Sequence, residues 1–209
     1  MFAWTGNWTG KWIGVAAAKI VFGAAVLHVL LNRDVVADYA GFAARWAQGC
    51  LFTDDRKTDG FVCLTMPFWI LAGGNVYGAG ATLALLALSG AWAAAAAMRV
   101  FGRWTKAQTR VALATLIFAP CAWLWTALPG KETLMFAAAG WTLWAWGQIE
   151  RRRVILGAGV MVVCLVAVVW VRPYLAAAMT LSLPALVLMR RAQTAVVVAP
   201  VVFAAMAAL

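Results

Sequence analysis

This chain of 209 residues is too apolar for a soluble globular protein, because 66% of its residues are hydrophobic and only 11% are charged. Its mean hydropathy of +0.88 predicts an integral membrane protein, and helices are the expected spanning form because backbone groups in lipid must be hydrogen-bonded internally. The net charge of +10 is divided among short clusters between apolar runs, which excludes the continuous basic face that a nucleic-acid partner needs.

The first apolar run, residues 12–31, predicts the first membrane span, since a spanning helix needs about 20 mostly apolar residues. Lys19 interrupts the run and no small-residue cleavage pattern follows it, so a retained span is favoured over a signal peptide. Residues 32–60 come next and hold most of the acidic side chains of the chain. We expect this segment to lie at the outer face of the membrane.

An amphipathic helix is predicted within residues 32–60, because aromatic residues recur at helical spacing and charged residues fall on the opposite face. The aromatic residues are Tyr39, Phe42 and Trp46, and the charged ones are Asp34, Asp38 and Arg45. Such a helix would lie in the membrane interface with its charges toward water. The alternative to a functional role for Asp34 and Asp38 is that they only keep this face solvated. Asp54, Asp55 and Asp59 are interpreted as a solvated loop.

Residues 61–73 are apolar but short for a span, so they are expected to enter from the outer face and return at Gly73-Gly74. If they crossed fully instead, residues 32–60 would lie on the cytoplasmic side. Further spans are predicted at residues 76–98, 111–128, 133–149, 154–171 and 175–189, with a short final run at 194–209. The expected fold is therefore a single all-α domain, residues 1–209, forming a polytopic transmembrane bundle of about six to eight spans.

Three basic clusters separate alternate spans, and by the positive-inside rule they are cytoplasmic. The clusters are Arg99, Arg103, Lys106 and Arg110, then residues 151–153, then Arg190 and Arg191. The turns at residues 129–132 and 172–174 consequently face outward. The four cysteines (Cys50, Cys63, Cys121 and Cys164) have no metal-ligand or Cys-x-x-Cys spacing and are interpreted as small hydrophobic residues.

The order of short motifs resembles bacterial Wzy-type and EpsG-type repeat-unit polymerases of surface polysaccharides and, more distantly, the GT-C glycosyltransferases. The resembling segments are Asp34 with Asp38-Tyr39, residues 60–73, Pro129-Gly130-Lys131-Glu132 and Arg172-Pro173-Tyr174. Proteins of this kind usually continue for about as much chain again, so the sequence resembles a short or truncated member. The resemblance implies a multi-pass protein of the bacterial inner (cytoplasmic) membrane.

The resemblance further implies a glycan polymerase that acts on polyprenyl-diphosphate-linked sugars at the outer leaflet, without a cofactor or metal. The catalytic carboxylates implied are Asp34, Asp38 and Glu132, and the substrate-binding residues are Lys131, Arg172, Tyr174 and Tyr39. The planar guanidinium of arginine fits phosphate oxygens, and lysine adds a compact positive charge. The expected partners are membrane lipid, the polyprenyl-diphosphate glycan and other proteins of a membrane complex, with no nucleic acid.

Two alternatives to catalysis remain open on the sequence. Lys131 and Glu132 open a helix after a Pro-Gly turn, and Arg172 precedes a proline, so all three side chains could serve only as helix-end anchors. The whole chain could likewise be a noncatalytic membrane subunit whose Ala-rich and Gly-rich helices pack against a larger complex.

Overall fold

The structure is a computed structural model that describes residues 8–32, 37–50, 56–101, 105–172 and 174–175. Within these residues the regular structure is entirely helical. The helices are α1 (Trp8–Asn32), α2 (Ala37–Gln48), α3 (Arg56–Leu71), α4 (Val76–Phe101), α5 (Lys106–Phe118), α6 (Pro120–Ala127), α7 (Lys131–Glu150) and α8 (Val154–Val171).

Three of these helices are long and apolar enough to cross a membrane: residues Ile13–Asn32, Val76–Phe101 and Val154–Val171. The expectation of an all-helical membrane protein is therefore confirmed for the described residues. The finer count of about six to eight spans is not established by these three helices. The runs predicted at residues 175–189 and 194–209 lie almost wholly outside the described part of the chain.

The long helices form a bundle with two distinct ends. His28 near the end of α1 contacts Tyr77 at the start of α4, so these two helices are antiparallel. Helices α4 and α7 run in the same direction, because Gly80 lies against Pro129 and Gly147 against Val100. We call the end containing the start of α4, the start of α7 and the end of α8 the cap end, and the other the basic end.

Six of the described basic residues lie at the basic end. The residues are Arg99 in the last turn of α4, Lys106 and Arg110 at the start of α5, and Arg151, Arg152 and Arg153 between α7 and α8. Helix α7 has 20 residues and so separates the two ends by about 30 Å. Arg103, Arg190 and Arg191, which belong to the predicted clusters, lie outside the described residues.

The expectation of one continuous helix over residues 111–128 is wrong, because α5 ends at Phe118 and α6 begins at Pro120. Proline has no backbone N–H to continue the ladder, and its ring clashes with the preceding helical turn. The start of α5 is fixed by a capping box in which the Thr105 side chain accepts from the Gln108 N–H and the Gln108 side chain accepts from the Thr105 N–H.

Small residues bring α4 and α7 into direct backbone contact. A Cβ added to Gly90 would lie 2.5 Å from the Cα of Ala137, and one added to Gly140 would lie 2.9 Å from the Cα of Gly90. Only glycine fits at such a crossing, as in other tightly packed membrane helices. These small-residue faces of α4 and α7 are thus used inside the chain.

Helices α2 and α3 lie across the cap end. Thr58 near the start of α3 contacts α7, while Ala72 just after α3 contacts Gly78 of α4, so both ends of α3 are at the cap end. An aromatic cluster joins α2 to α3, with ring centroids 4.9 Å apart for Phe42 and Phe61 and stacked indoles 5.2 Å apart for Trp46 and Trp69. Residues 61–71 thus belong to one continuous helix with both ends at the cap end, and entry of this segment into a membrane stays a prediction.

Lys19, in the middle of α1, faces the bundle and is 1% exposed. Its Nζ donates to Thr126 Oγ1 at 2.6 Å and to the Trp123 carbonyl oxygen at 3.2 Å, and it lies 4.6 Å from the centroid of the Trp123 ring. A buried ammonium needs such polar and π partners to offset its lost hydration. Lys19 therefore ties α1 to α6.

Candidate functional site

A polar cluster lies at the cap end where α7 begins and α8 ends. The Arg172 guanidinium forms an ion pair with Glu132 through Nη2, and its Nη1 donates to the Tyr174 hydroxyl at 2.6 Å. The side chains of Arg172 and Glu132 are 33% and 43% exposed. The pair is thus held in place and still open to a ligand from outside the bundle.

The turn before α7 fixes where Glu132 points. The Gly130 N–H donates to the Leu128 carbonyl oxygen at 2.9 Å, and the buried Thr133 hydroxyl donates to the same oxygen at 2.5 Å. Gly130 then serves as N-cap with an extended backbone, so α7 starts at Lys131 and Glu132 falls in its first turn. A carboxylate there is stabilised by the positive end of the helix dipole.

Lys131 links α7 to the helices that cross the cap end. Its Nζ donates to Thr58 Oγ1 of α3 at 2.8 Å and lies 6.0 Å from the centroid of the Phe42 ring of α2. Among the described side chains, no carboxylate forms an ion pair with Lys131. The cluster of Lys131, Glu132 and Arg172 therefore has two cations for one carboxylate.

A second ion pair joins α2 to α3, between Arg45 Nη1 and Asp59 Oδ1 at 2.7 Å. Asp59 is only 2% exposed. The interpretation of Asp59 as part of a solvated loop is wrong, because α3 already begins at Arg56 and turns this carboxylate toward α2. Arg45, expected to point to water, is half-buried against it.

A disulfide bond links Cys50, just after α2, to Cys63 in α3. The interpretation of these two cysteines as small hydrophobic residues is wrong, whereas Cys164 in α8 is a free thiol. One feature of the sequence favoured the disulfide: the two cysteines flank one short polar segment, which a disulfide can close into a small loop. Disulfides persist on the oxidising side of a membrane and are rare in the cytosol.

We expect the Cys50–Cys63 bond to be accessible from outside intact spheroplasts. A membrane-impermeant reductant followed by an impermeant maleimide-polyethylene glycol should add mass to the protein, because we expect the cap end to face the oxidising compartment. The Cys50→Ser/Cys63→Ser variant is the control and should show no reductant-dependent gain. Labelling that appears only after lysis would place the cap end in the cytoplasm.

Three of the predicted site residues are in contact here, Glu132, Arg172 and Tyr174, and Lys131 lies at the same end of the bundle with its Nζ on Thr58. Asp34 lies outside the described residues. The backbone of Asp38 and Tyr39 belongs to α2, and their side chains lie outside what the structure describes. Thr58, Asp59 and the cysteine pair were not predicted as parts of this region, since their partners come from helices whose packing the sequence does not specify.

Comparisons of the chain with family models, with curated proteins and with solved structures found no match. The functional argument consequently depends on the chemistry of the cluster at the cap end and on its position in the bundle.

Proposed function

We propose that the chain is a membrane-embedded glycan polymerase or related glycosyltransferase that acts on polyprenyl-diphosphate-linked sugars at the outer leaflet of a bacterial inner membrane. The observation that supports this proposal most is that Arg172, paired with Glu132, and Lys131, bonded to Thr58, both lie at the cap end. Two cations at the same end of an apolar bundle, of which one is paired with a carboxylate, suit an anionic headgroup.

The distribution of charge and the disulfide support an outward cap end. Arg151, Arg152 and Arg153 are exposed at the basic end, and such clusters mark the cytoplasmic side. The Cys50–Cys63 bond at the cap end suits the oxidising side. In this orientation α5 with α6 and α7 also cross the membrane, and the undescribed C-terminal runs bring the total to about six to eight spans.

The proposed reaction is transfer of a glycosyl group. The acceptor hydroxyl oxygen attacks the anomeric carbon, the bond from that carbon to the diphosphate oxygen breaks, and the leaving diphosphate takes the electron pair. Lys131 and Arg172 stabilise the negative charge that accumulates on the leaving group, an effect that is strong where water is scarce. The hydroxyl proton passes to a carboxylate within hydrogen-bonding reach.

Asp34 and Asp38 are the favoured bases in this proposal. Glu132 is engaged by the Arg172 guanidinium, which suits a positioning role that keeps the arginine fork turned toward the ligand. Helix α2 is the proposed interfacial helix and α3 the proposed re-entrant segment. Residue 38 lies one turn before Phe42, about 6 Å along the axis of α2, and Phe42 contacts Lys131.

The test separates donor binding from turnover in a host whose own copy of the gene has been deleted. Arg172→Lys keeps the charge but loses the planar fork, so it should weaken binding of a polyprenyl-diphosphate sugar to the purified protein and reduce polymer formation. Asp34→Asn or Asp38→Asn should abolish polymer formation and leave binding nearly unchanged. Arg153→Lys, at the basic end, is the matched control.

The alternative of a noncatalytic membrane subunit predicts normal polymer formation in all of these variants. The sequence feature that favoured this alternative was the Ala-rich and Gly-rich helix faces, which could pack against another protein. Gly90 and Gly140 pack against the backbone of the same chain, so these two helix faces no longer favour it. Retention of polymer synthesis by both Arg172→Lys and the aspartate variants would nevertheless establish this alternative in place of the polymerase.

A further inference from the structure

An apolar groove runs along the outside of the bundle where α4, α7 and α8 meet. Its volume is about 380 Å³, and its lining includes Leu86, Leu134, Trp141, Cys164 and Ala167. Every described lining residue is apolar, a glycine or a thiol. Val163 and Gly159 at its margin are exposed, so the groove opens sideways toward the surrounding lipid rather than toward water.

Gly159 and Ala167 leave room for this groove, and the held indole of Trp141 lines it. Gly159, Val163 and Ala167 are spaced four apart on one face of α8, and nothing lies within 4 Å of a Cβ added to Gly159. The Trp141 indole N–H donates to Ser89 Oγ at 3.0 Å, which holds its ring against α4. The space is therefore maintained by the packing of the bundle.

The groove ends beside the cations of the cap end. Leu134 lies three residues after Lys131, about 4.5 Å along α7, and Ala167 lies five residues before Arg172, about 7.5 Å along α8. From Leu134 to Trp141 the groove continues for about 10 Å toward the basic end. A molecule with a long apolar tail and a negative head could occupy both regions at once.

We infer that this groove holds the apolar chain of a phosphate-bearing lipid whose head binds Arg172 and Lys131. A hydrocarbon chain lying in the groove makes the van der Waals contacts that this apolar lining otherwise lacks. Because lipid tails are as apolar as the groove, binding of the tail adds little affinity and mainly fixes where the lipid lies. The charged head determines which lipids bind. This inference rests on the proposed function, for which the lipid is the polyprenyl-diphosphate donor.

The experiment uses the full chain in nanodiscs and a polyprenyl phosphate with a photoreactive diazirine on its chain. We expect crosslinks on α7 and α8, and about a tenfold lower yield for Gly159→Phe, whose ring fills the groove. Gly14→Phe is the matched control, because Gly14 is equally open but lies on α1, and it should crosslink like the wild type. Equal melting temperatures would show that both variants are folded.

Cys164 gives a second measurement in the Cys121→Ala background, where it is the free thiol apart from the disulfide pair. Polyprenyl phosphate should slow its modification by N-ethylmaleimide. Crosslinks on α1 or α5, or equal yields from wild type and Gly159→Phe, would overturn the inference. An unchanged rate of Cys164 modification in the presence of polyprenyl phosphate would also overturn it.

Competition by lipid separates this inference from the proposed function. If phosphatidylglycerol displaces the probe as effectively as unlabelled polyprenyl phosphate, the groove is a general site for phosphate-bearing lipids. Binding in the groove then no longer identifies the substrate that the polymerase proposal needs. If polyprenyl phosphate competes about tenfold better, the groove supports the proposed donor. Groove binding together with normal polymer formation in both Arg172→Lys and the aspartate variants would reject the polymerase while leaving the lipid site intact.

Discussion

Arg172→Glu is expected to abolish polymer formation and to lower the melting temperature of the purified protein. The substitution removes a cation from the proposed diphosphate site and places a second carboxylate beside Glu132. The double variant Glu132→Arg/Arg172→Glu restores an ion pair of opposite orientation, so it should recover the melting temperature. Polymer formation should stay lost, because the guanidinium then projects from α7 and no longer from the end of α8.

The control for this pair is Arg153→Glu, which makes the same change in charge at the basic end. Because the ion pair is more than a third exposed on the Glu132 side, we expect only a small change in melting temperature, as for other exposed pairs. The loss of polymer should be far larger than this change in stability explains. Normal polymer length in Arg172→Glu would remove Arg172 from the proposed site.

Gly140→Leu should cause the largest loss of stability of any single substitution considered. A Cβ at position 140 would lie 2.9 Å from the Cα of Gly90, so the whole of α7 must move away from α4. Overpacking a close contact costs about 1–3 kcal/mol where side chains can adjust, and more where backbone meets backbone. Thermal unfolding in detergent, followed by circular dichroism, measures the effect.

Gly14→Leu is the control for this substitution, because nothing lies within 4 Å of a Cβ added to Gly14. It should leave the melting temperature unchanged or slightly raised, since leucine favours helix over glycine by about 1 kcal/mol. If Gly140→Leu melts at the same temperature as Gly14→Leu, the close approach of α4 and α7 is not a feature of the folded protein.

The apolar runs of the sequence located the main helices well. The predicted span over residues 154–171 has the bounds of α8, and the predicted start at residue 76 is the start of α4. Hydropathy missed the interruption between α5 and α6, because Pro120 is itself compatible with an apolar run and acts through its missing N–H. It also missed the helical start of α3 at Arg56, where local charge suggested a loop.

For the candidate site, the sequence predicted only which residues lie at a similar depth in the membrane. Two turns on the same side of alternate spans must lie at a similar level, which was enough to group Lys131 and Glu132 with Arg172. The bond from Lys131 to Thr58 joins residues 73 positions apart, and the position of α3 beside the start of α7 decides it. Pairing of this kind depends on which helices become neighbours, and hydropathy alone does not encode it.

The Cys50–Cys63 bond has a consequence for biogenesis, since it needs no residue beyond position 63. In the proposed orientation, the cysteines can be oxidised once α1 has entered the membrane and this segment has been exported, before the ribosome has made α7 or α8. The contacts that seat α3 on the bundle, such as Gly60 against Trp170, arise only after those later helices insert. Assembly should thus begin with the disulfide-linked α2 and α3, which pack on the bundle only after the later helices have inserted. A host deficient in periplasmic oxidation should therefore accumulate chains that protease digests within residues 37–63.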